Sequence, residues 1–151
     1  MTKTAPLLAS VALLAACGHA IATSSVSESQ LAPPDALQCV MKQFDQLGFQ
    51  RTMYDKDELR TSARKVNPKI TFSNVQFRKT WDRLEVQVRT GTKGTDVNVT
   101  ATTVAEYFSQ NAQNYNYLPP TDEVKQAAQM LQQACSAAAS PPASPAPASQ
   151  P

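Results

Sequence analysis

The sequence predicts an α+β fold: a two-layer domain in which an antiparallel β-meander of about four strands carries an N-terminal and a C-terminal helix on one face, the helices linked by a disulfide. Three observations predict it. Apolar residues at helical spacing open the domain, and a second such stripe closes it. Between them Leu84, Val86 and Val88, then Val97, Val99 and Ala101, alternate with polar residues around the turn Gly91-Thr92-Lys93-Gly94. That is the pattern of a hairpin with one buried and one wet face. Finally, Cys39 and Cys135 lie one in each helix and form an even pair.

The elements can be justified in order. Pro33-Pro34 precedes Asp35, which suits an N-cap, with Gln38 three residues on in the capping-box position. Leu37, Val40, Met41, Phe44 and Leu47 form one stripe, Cys39 lies on its flank, and Gly48 supplies a left-handed C-cap. Two weaker strands follow, near Phe49 to Tyr54 and Leu59 to Val66, joined by the acidic turn Asp55-Lys56-Asp57-Glu58. From Ile70 to Trp81 the alternation changes phase at Val75 and Phe77, as in a bulge or a long loop folded over an edge. After the hairpin, Glu106 to Leu118 reads as a crossover segment whose aromatics cap the core. Pro119-Pro120 then breaks the chain, Thr121 can cap, and Asp122-Glu123 suit the positive end of a helix dipole. Val124, Ala127, Ala128, Leu131 and Cys135 share a face of that helix, so a Cys39–Cys135 bond would tie the two helices together.

The N-terminal segment has the build of an export signal. Lys3 is followed by an uncharged, mostly apolar run from Ala5 to Ala16, twelve residues long. That is short of the ~20 that a spanning helix needs. Leu14-Ala15-Ala16-Cys17 closes it, and this resembles the lipobox of bacterial lipoproteins. The resemblance implies a diacylglyceryl group on the Cys17 sulfur, cleavage before Cys17 and acylation of the new amino terminus. Gly18, in a position where Asp signals inner-membrane retention, implies sorting to the periplasmic face of an outer membrane. A second cleavage pattern, Ala20-Ile21-Ala22, also fits and would release a soluble periplasmic or secreted protein beginning at Thr23. The expected organisation is a signal peptide at 1–16, a lipidated flexible tether at 17–34, a single domain at 35–136 and a Pro/Ala/Ser tail at 137–151. In an oxidising compartment Cys39 and Cys135 read as a structural disulfide, since their spacing is neither that of a redox C-x-x-C nor that of a zinc site. The domain itself resembles a loose group of small uncharacterised bacterial envelope lipoproteins. The shared features are the Cys on the first helix, the exit Leu47-Gly48-Phe49, the strand hairpin, and the Pro119 to Val124 helix start followed by Cys135. That resemblance carries no activity.

The chemistry-bearing residues are sparse. Loss of Lys3 with the signal leaves thirteen basic against twelve acidic residues, a balance that argues against nucleic acid as a partner. His19 is the only histidine and stands two residues from Cys17, so Ser-His-Asp and His-based zinc sites are denied to the domain. Asp55, Asp57 and Glu58 lack the further ligands and glycine of a calcium loop. The expectation is a protein without catalytic residues, cofactor or metal. Two features point to binding. Arg60, Arg64, Lys65, Arg78, Lys79 and Arg83 belong to a basic run that strand alternation can set on the wet face, suited to anionic headgroups, lipopolysaccharide phosphates or an acidic partner. The competing reading is a solvated face balanced by Asp96 and Glu106. Tyr107, Phe108, Tyr115 and Tyr117 lie among amides, a mixture suited to glycan rings such as those of peptidoglycan. The expected role is a membrane-anchored, non-catalytic binding or assembly accessory of the envelope with a protein partner. The alternative is a small binder of peptidoglycan, other glycan or anionic lipid.

Overall fold

A computed structural model describes residues 22–69, 77–109 and 112–136. The expected signal segment, Cys17, His19, part of the 70–81 stretch and the 137–151 tail lie outside them. In chain order the elements are β1 (Thr23–Ser29), α1 (Pro33–Gln46), β2 (Gln50–Asp55), β3 (Arg60–Val66), β4 (Phe77–Thr90), β5 (Thr95–Ser109), β6 (Ala112–Leu118) and α2 (Asp122–Ser136). All strand pairs are antiparallel, in the order β1-β5-β4-β3-β2. The fifteen-residue β5 serves two partners end to end: β1 pairs with its first half and β6 with its second.

Both helices cover one face of this sheet. α1 buries Ala36, Leu37, Val40 and Phe44, and α2 buries Val124, Ala127, Ala128, Leu131 and Cys135. They meet Ala63, Leu84, Val86, Val88, Val97, Val99 and Ala101 from β3, β4 and β5. Cys39 and Cys135 are bonded, with Cα atoms 5.8 Å apart and a sequence separation of 96. The clasp therefore joins the first helix to the end of the last.

The sheet is richer than the four-strand meander expected. β1 occupies residues 23–29 of the presumed tether, so the domain begins well before Asp35. Its serines offer no apolar alternation, yet its backbone pairs in register with Thr95 to Ala101. Ser25 Oγ donates to Gln132 Oε1 at 3.0 Å, and Ser29 Oγ donates to the Cys135 carbonyl, which ties the strand to α2. β6 replaces the expected crossover after Glu106; it is again polar and held by ladder bonds to β5. The start of α1 also differs. Ala32 is the N-cap and makes no side-chain cap, while Asp35 lies in the first turn. Pro33 and Pro34 carry no N–H, so two of the donors that a cap satisfies are absent, and their fixed φ preorganises the turn.

Other expectations stand in the structure. Gly48 has φ +75°, and the Phe49 N–H donates to the Phe44 carbonyl at 2.8 Å, the reach-back of a Schellman stop. The Asp55 carboxylate accepts from the Asp57 and Glu58 N–H groups, closing the β2–β3 turn. Thr121 Oγ1 accepts from the Val124 N–H at 3.3 Å and so caps α2. A register shift lies between Phe77 and Lys79 inside β4, while the phase change read at Ile70 to Val75 falls outside the described residues.

Candidate functional site

Residues paired across an antiparallel sheet share a face, so the register alone assembles the uncovered side. Trp81 of β4, Val104 of β5 and Tyr117 of β6 form one row. Lys79, Glu106 and Tyr115 form the next, and Arg64, Arg83 and Thr102 the one on the other side. At the β2 edge a bulge between Arg51 and Met53 turns Thr52 back over the sheet, where its Oγ1 shares a 2.9 Å hydrogen bond with Ser62 Oγ. Bulges bend and twist a strand locally. The outcome is a concave face with a cavity of about 380 Å³. Arg64, Trp81, Arg83 and Val104 make its floor; Thr52, Met53 and Ser62 close one side, and Tyr115 and Tyr117 the other.

Three cations of this face are held against rings. The Arg64 guanidinium carbon lies 4.1 Å from the Trp81 ring centroid, Lys79 Nζ lies 5.5 Å from the same ring, and Arg78 stacks on Phe108 at 5.3 Å. Such contacts contribute about 0.5–2 kcal/mol each according to desolvation. Among the described residues none of these three has an ion pair. Arg64 Nε is buried and has no hydrogen-bond partner among the described residues. Arg64 also stands directly opposite Arg83, whose guanidinium turns to Glu85. The nearby carboxylate of Glu106 is engaged: Trp81 Nε1 donates to its Oε2 at 2.8 Å, and Gln113 Nε2 donates to its Oε1. Those two bonds fix the indole and leave its face to Arg64 and solvent.

The structure thus brings part of each predicted group together. Arg64, Arg83, Tyr115 and Tyr117 line the cavity; Lys79 reaches its Trp81 ring, while Arg78 stacks on Phe108, which does not line it. Arg60 stays on the same face but is drawn to Glu58 at 3.7 Å. Lys65 is a correction: it lies on the helix side, donating to the Leu47 carbonyl at 3.0 Å and approaching Phe49, because alternation sends it opposite to Arg64. Lys69 likewise reaches Glu123 of α2. The basic run is therefore divided between the two faces. Tyr107 alternates with Glu106 and Phe108 and does not line the cavity. Of the two acids expected to balance the face, Glu106 stands opposite Lys79 in register and accepts from Trp81 and Gln113, and Asp96 stands opposite Arg89.

Trp81, which entered the sequence reading only as the end of the 70–81 stretch, is the centre of the face. Its signal was its place in the other phase of the β4 alternation, with Arg83, Glu85 and Gln87 and opposite in face to Asp82, Leu84 and Val86. Asp82 is buried on the helix side, where Asn67 Nδ2, Thr103 Oγ1 and Thr121 Oγ1 donate to it at 2.7, 2.8 and 3.0 Å.

A second cavity, about 330 Å³, lies on the helix side between Leu47, Phe49, Lys65, Ala127 and Met130. The Lys69–Glu123 pair stands at its mouth. The hydrogen bond from Lys69 and its charge hold the Glu123 carboxyl below its ordinary value, and the same bond raises Lys69. Among the described residues no three His, Cys, Asp or Glu side chains gather as a metal site. No helix among them is long and apolar enough to cross a membrane. No protein-family model matches the chain, and no curated protein matches it.

Proposed function

We propose that this is a non-catalytic binding domain of the bacterial cell envelope, held to a membrane through an acylated Cys17, and that its ligand lies in the concave face of the sheet. The ligand presents an acidic group beside a stackable surface, as envelope glycans and anionic headgroups do. One observation carries this reading: Arg64 is stacked on Trp81, opposite a second arginine, with a buried Nε that no group among the described residues satisfies. Like charges directly across a sheet are destabilising, and a buried unsatisfied donor costs about 1–3 kcal/mol. A bound anion offsets both. Tyr115 and Tyr117, each about half exposed, add amphipathic rings at the rim.

Co-sedimentation of the purified protein, freed of acyl chains, with cell-wall sacculi and with anionic liposomes tests it. Retention by at least one of them is expected, weakened about tenfold by Trp81→Ala or Arg64→Gln, which corresponds to ~1.4 kcal/mol. Retention that both variants preserve in full, or no retention by either material, would overturn the reading.

A further inference from the structure

We infer that the concave face docks on the anionic headgroups of the same leaflet that holds the protein's own anchor. The inference rests on the acylation of Cys17 and on the concave face as ligand surface. It is carried by where the chain enters the sheet.

β1 begins with Thr23 opposite Ala101, midway along β5, and Leu118 of β6 pairs with Thr103 just beyond. The entry point is thus three residues along β5 from the Val104–Tyr117 pair, or ~10 Å at the rise of a strand. Six residue steps separate Cys17 from Thr23, and a chain of that length spans at most about 22 Å. The acyl chains therefore stay within roughly 30 Å of Tyr117, whatever path the connection takes. The other end of the chain departs on the far side. Ser29 closes β1, its hydroxyl bonded to the Cys135 carbonyl at the end of α2, about 20 Å along the strand from Thr23. The anchor thus joins the sheet at the end of β1 nearer Tyr117, within reach of the concave face, and the C-terminal segment starts from the end of β1 farther from Tyr117.

The chemistry of the face matches that position. Tyr115, Tyr117, Phe108 and Val26 on this side are exposed. Arg64, Arg78 and Lys79 lie on the same side without an ion pair among the described residues, the carboxylate of Glu106 opposite Lys79 being taken by Trp81 and Gln113. Aromatic rings with basic side chains are the residue types enriched at the headgroup layer, where each cation near an anionic surface contributes ~1 kcal/mol.

Trp81 is the only tryptophan of the chain and reports directly. The acylated full-length protein is reconstituted in phosphatidylcholine vesicles carrying a nitroxide on the headgroup, with or without roughly one third phosphatidylglycerol. In the anionic vesicles the nitroxide is expected to quench Trp81 emission about two-fold, and the quenching should vanish in phosphatidylcholine alone and at ~1 M salt, where the Debye length is ~3 Å. The Arg64→Gln/Lys79→Gln pair, confirmed as folded by its thermal unfolding, should abolish it; Tyr117→Ser, which leaves the cations in place, should reduce it. Equal quenching in both vesicle types, or none in the anionic ones, overturns the inference. If sacculi shift Trp81 emission while vesicles do not, the concave face remains a ligand surface and its ligand is cell-wall glycan. If neither acts on Trp81, the proposed function falls as well. A mature protein with an unmodified Thr23 terminus removes the anchor and, with it, this inference.

Discussion

Removing the Cys39–Cys135 bond is the perturbation whose size follows most directly from the structure. The bond closes a loop of 96 residues, nearly the whole described domain. Loop-closure entropy for that length amounts to about 4.7 kcal/mol, withdrawn from the unfolded chain rather than added to the native one. A domain of this size shifts its unfolding midpoint by ~4 °C per kcal/mol, so loss of the bond should lower it by about 15–20 °C. Cys39→Ala is the better variant, because Cys39 lies at the edge of the core while Cys135 is fully buried. Cys135→Ser would add the cost of a hydroxyl in apolar surroundings, ~1–3 kcal/mol. Urea unfolding of the oxidised protein and the Cys39→Ala variant, followed by far-ultraviolet circular dichroism, provides the assay. The denaturant slope should increase in the variant, since an uncrosslinked chain exposes more surface when unfolded. A loss below about 1 kcal/mol with an unchanged slope would refute the argument. The two helices would then be held by packing alone.

Two further expectations concern the helix side. Asp82→Ala strips three donors of their acceptor and should cost about 3 kcal/mol in chemical denaturation; Asp82→Asn, which retains a carbonyl oxygen, should cost less. Glu123 is held below the ordinary carboxyl value of 4.5, so its pair with Lys69 favours the native state above that pH and ceases to do so as the pH falls through the native value. In Lys69→Met, the Glu123 carboxyl carbon followed by NMR should titrate closer to the ordinary value. The pair is exposed, so stability at neutral pH should hardly change.

The helices and the central hairpin were legible because burial wrote itself into their spacing. Leu37, Val40 and Phe44, or Leu84, Val86 and Val88, are apolar where the core requires it and polar elsewhere. β1 and β6 carried no such record. Their positions are secured by backbone pairing, and in β1 Ser25 and Ser29 bond to α2 through Gln132 and the Cys135 carbonyl. Counting charges along the chain also misjudged the basic run, because alternation along β3 separates Arg64 from Lys65. The two binding features read from sequence, cations in one segment and tyrosines in another, proved to border one cavity. Only the β4–β5–β6 register could bring them together, with Trp81 between them.

Chemical-shift mapping on the isotopically labelled protein tests the central claim most directly. Anionic bicelles and soluble cell-wall fragments are added in turn, and the backbone amides and the Trp81 indole N–H are followed. The account expects the shifts to cluster on Arg64, Trp81, Arg83, Val104, Tyr115 and Tyr117, leaving the helix-side cavity at Leu47, Ala127 and Met130 unmoved. Shifts confined to the helix side, or a Trp81 indole that answers neither addition, would contradict it.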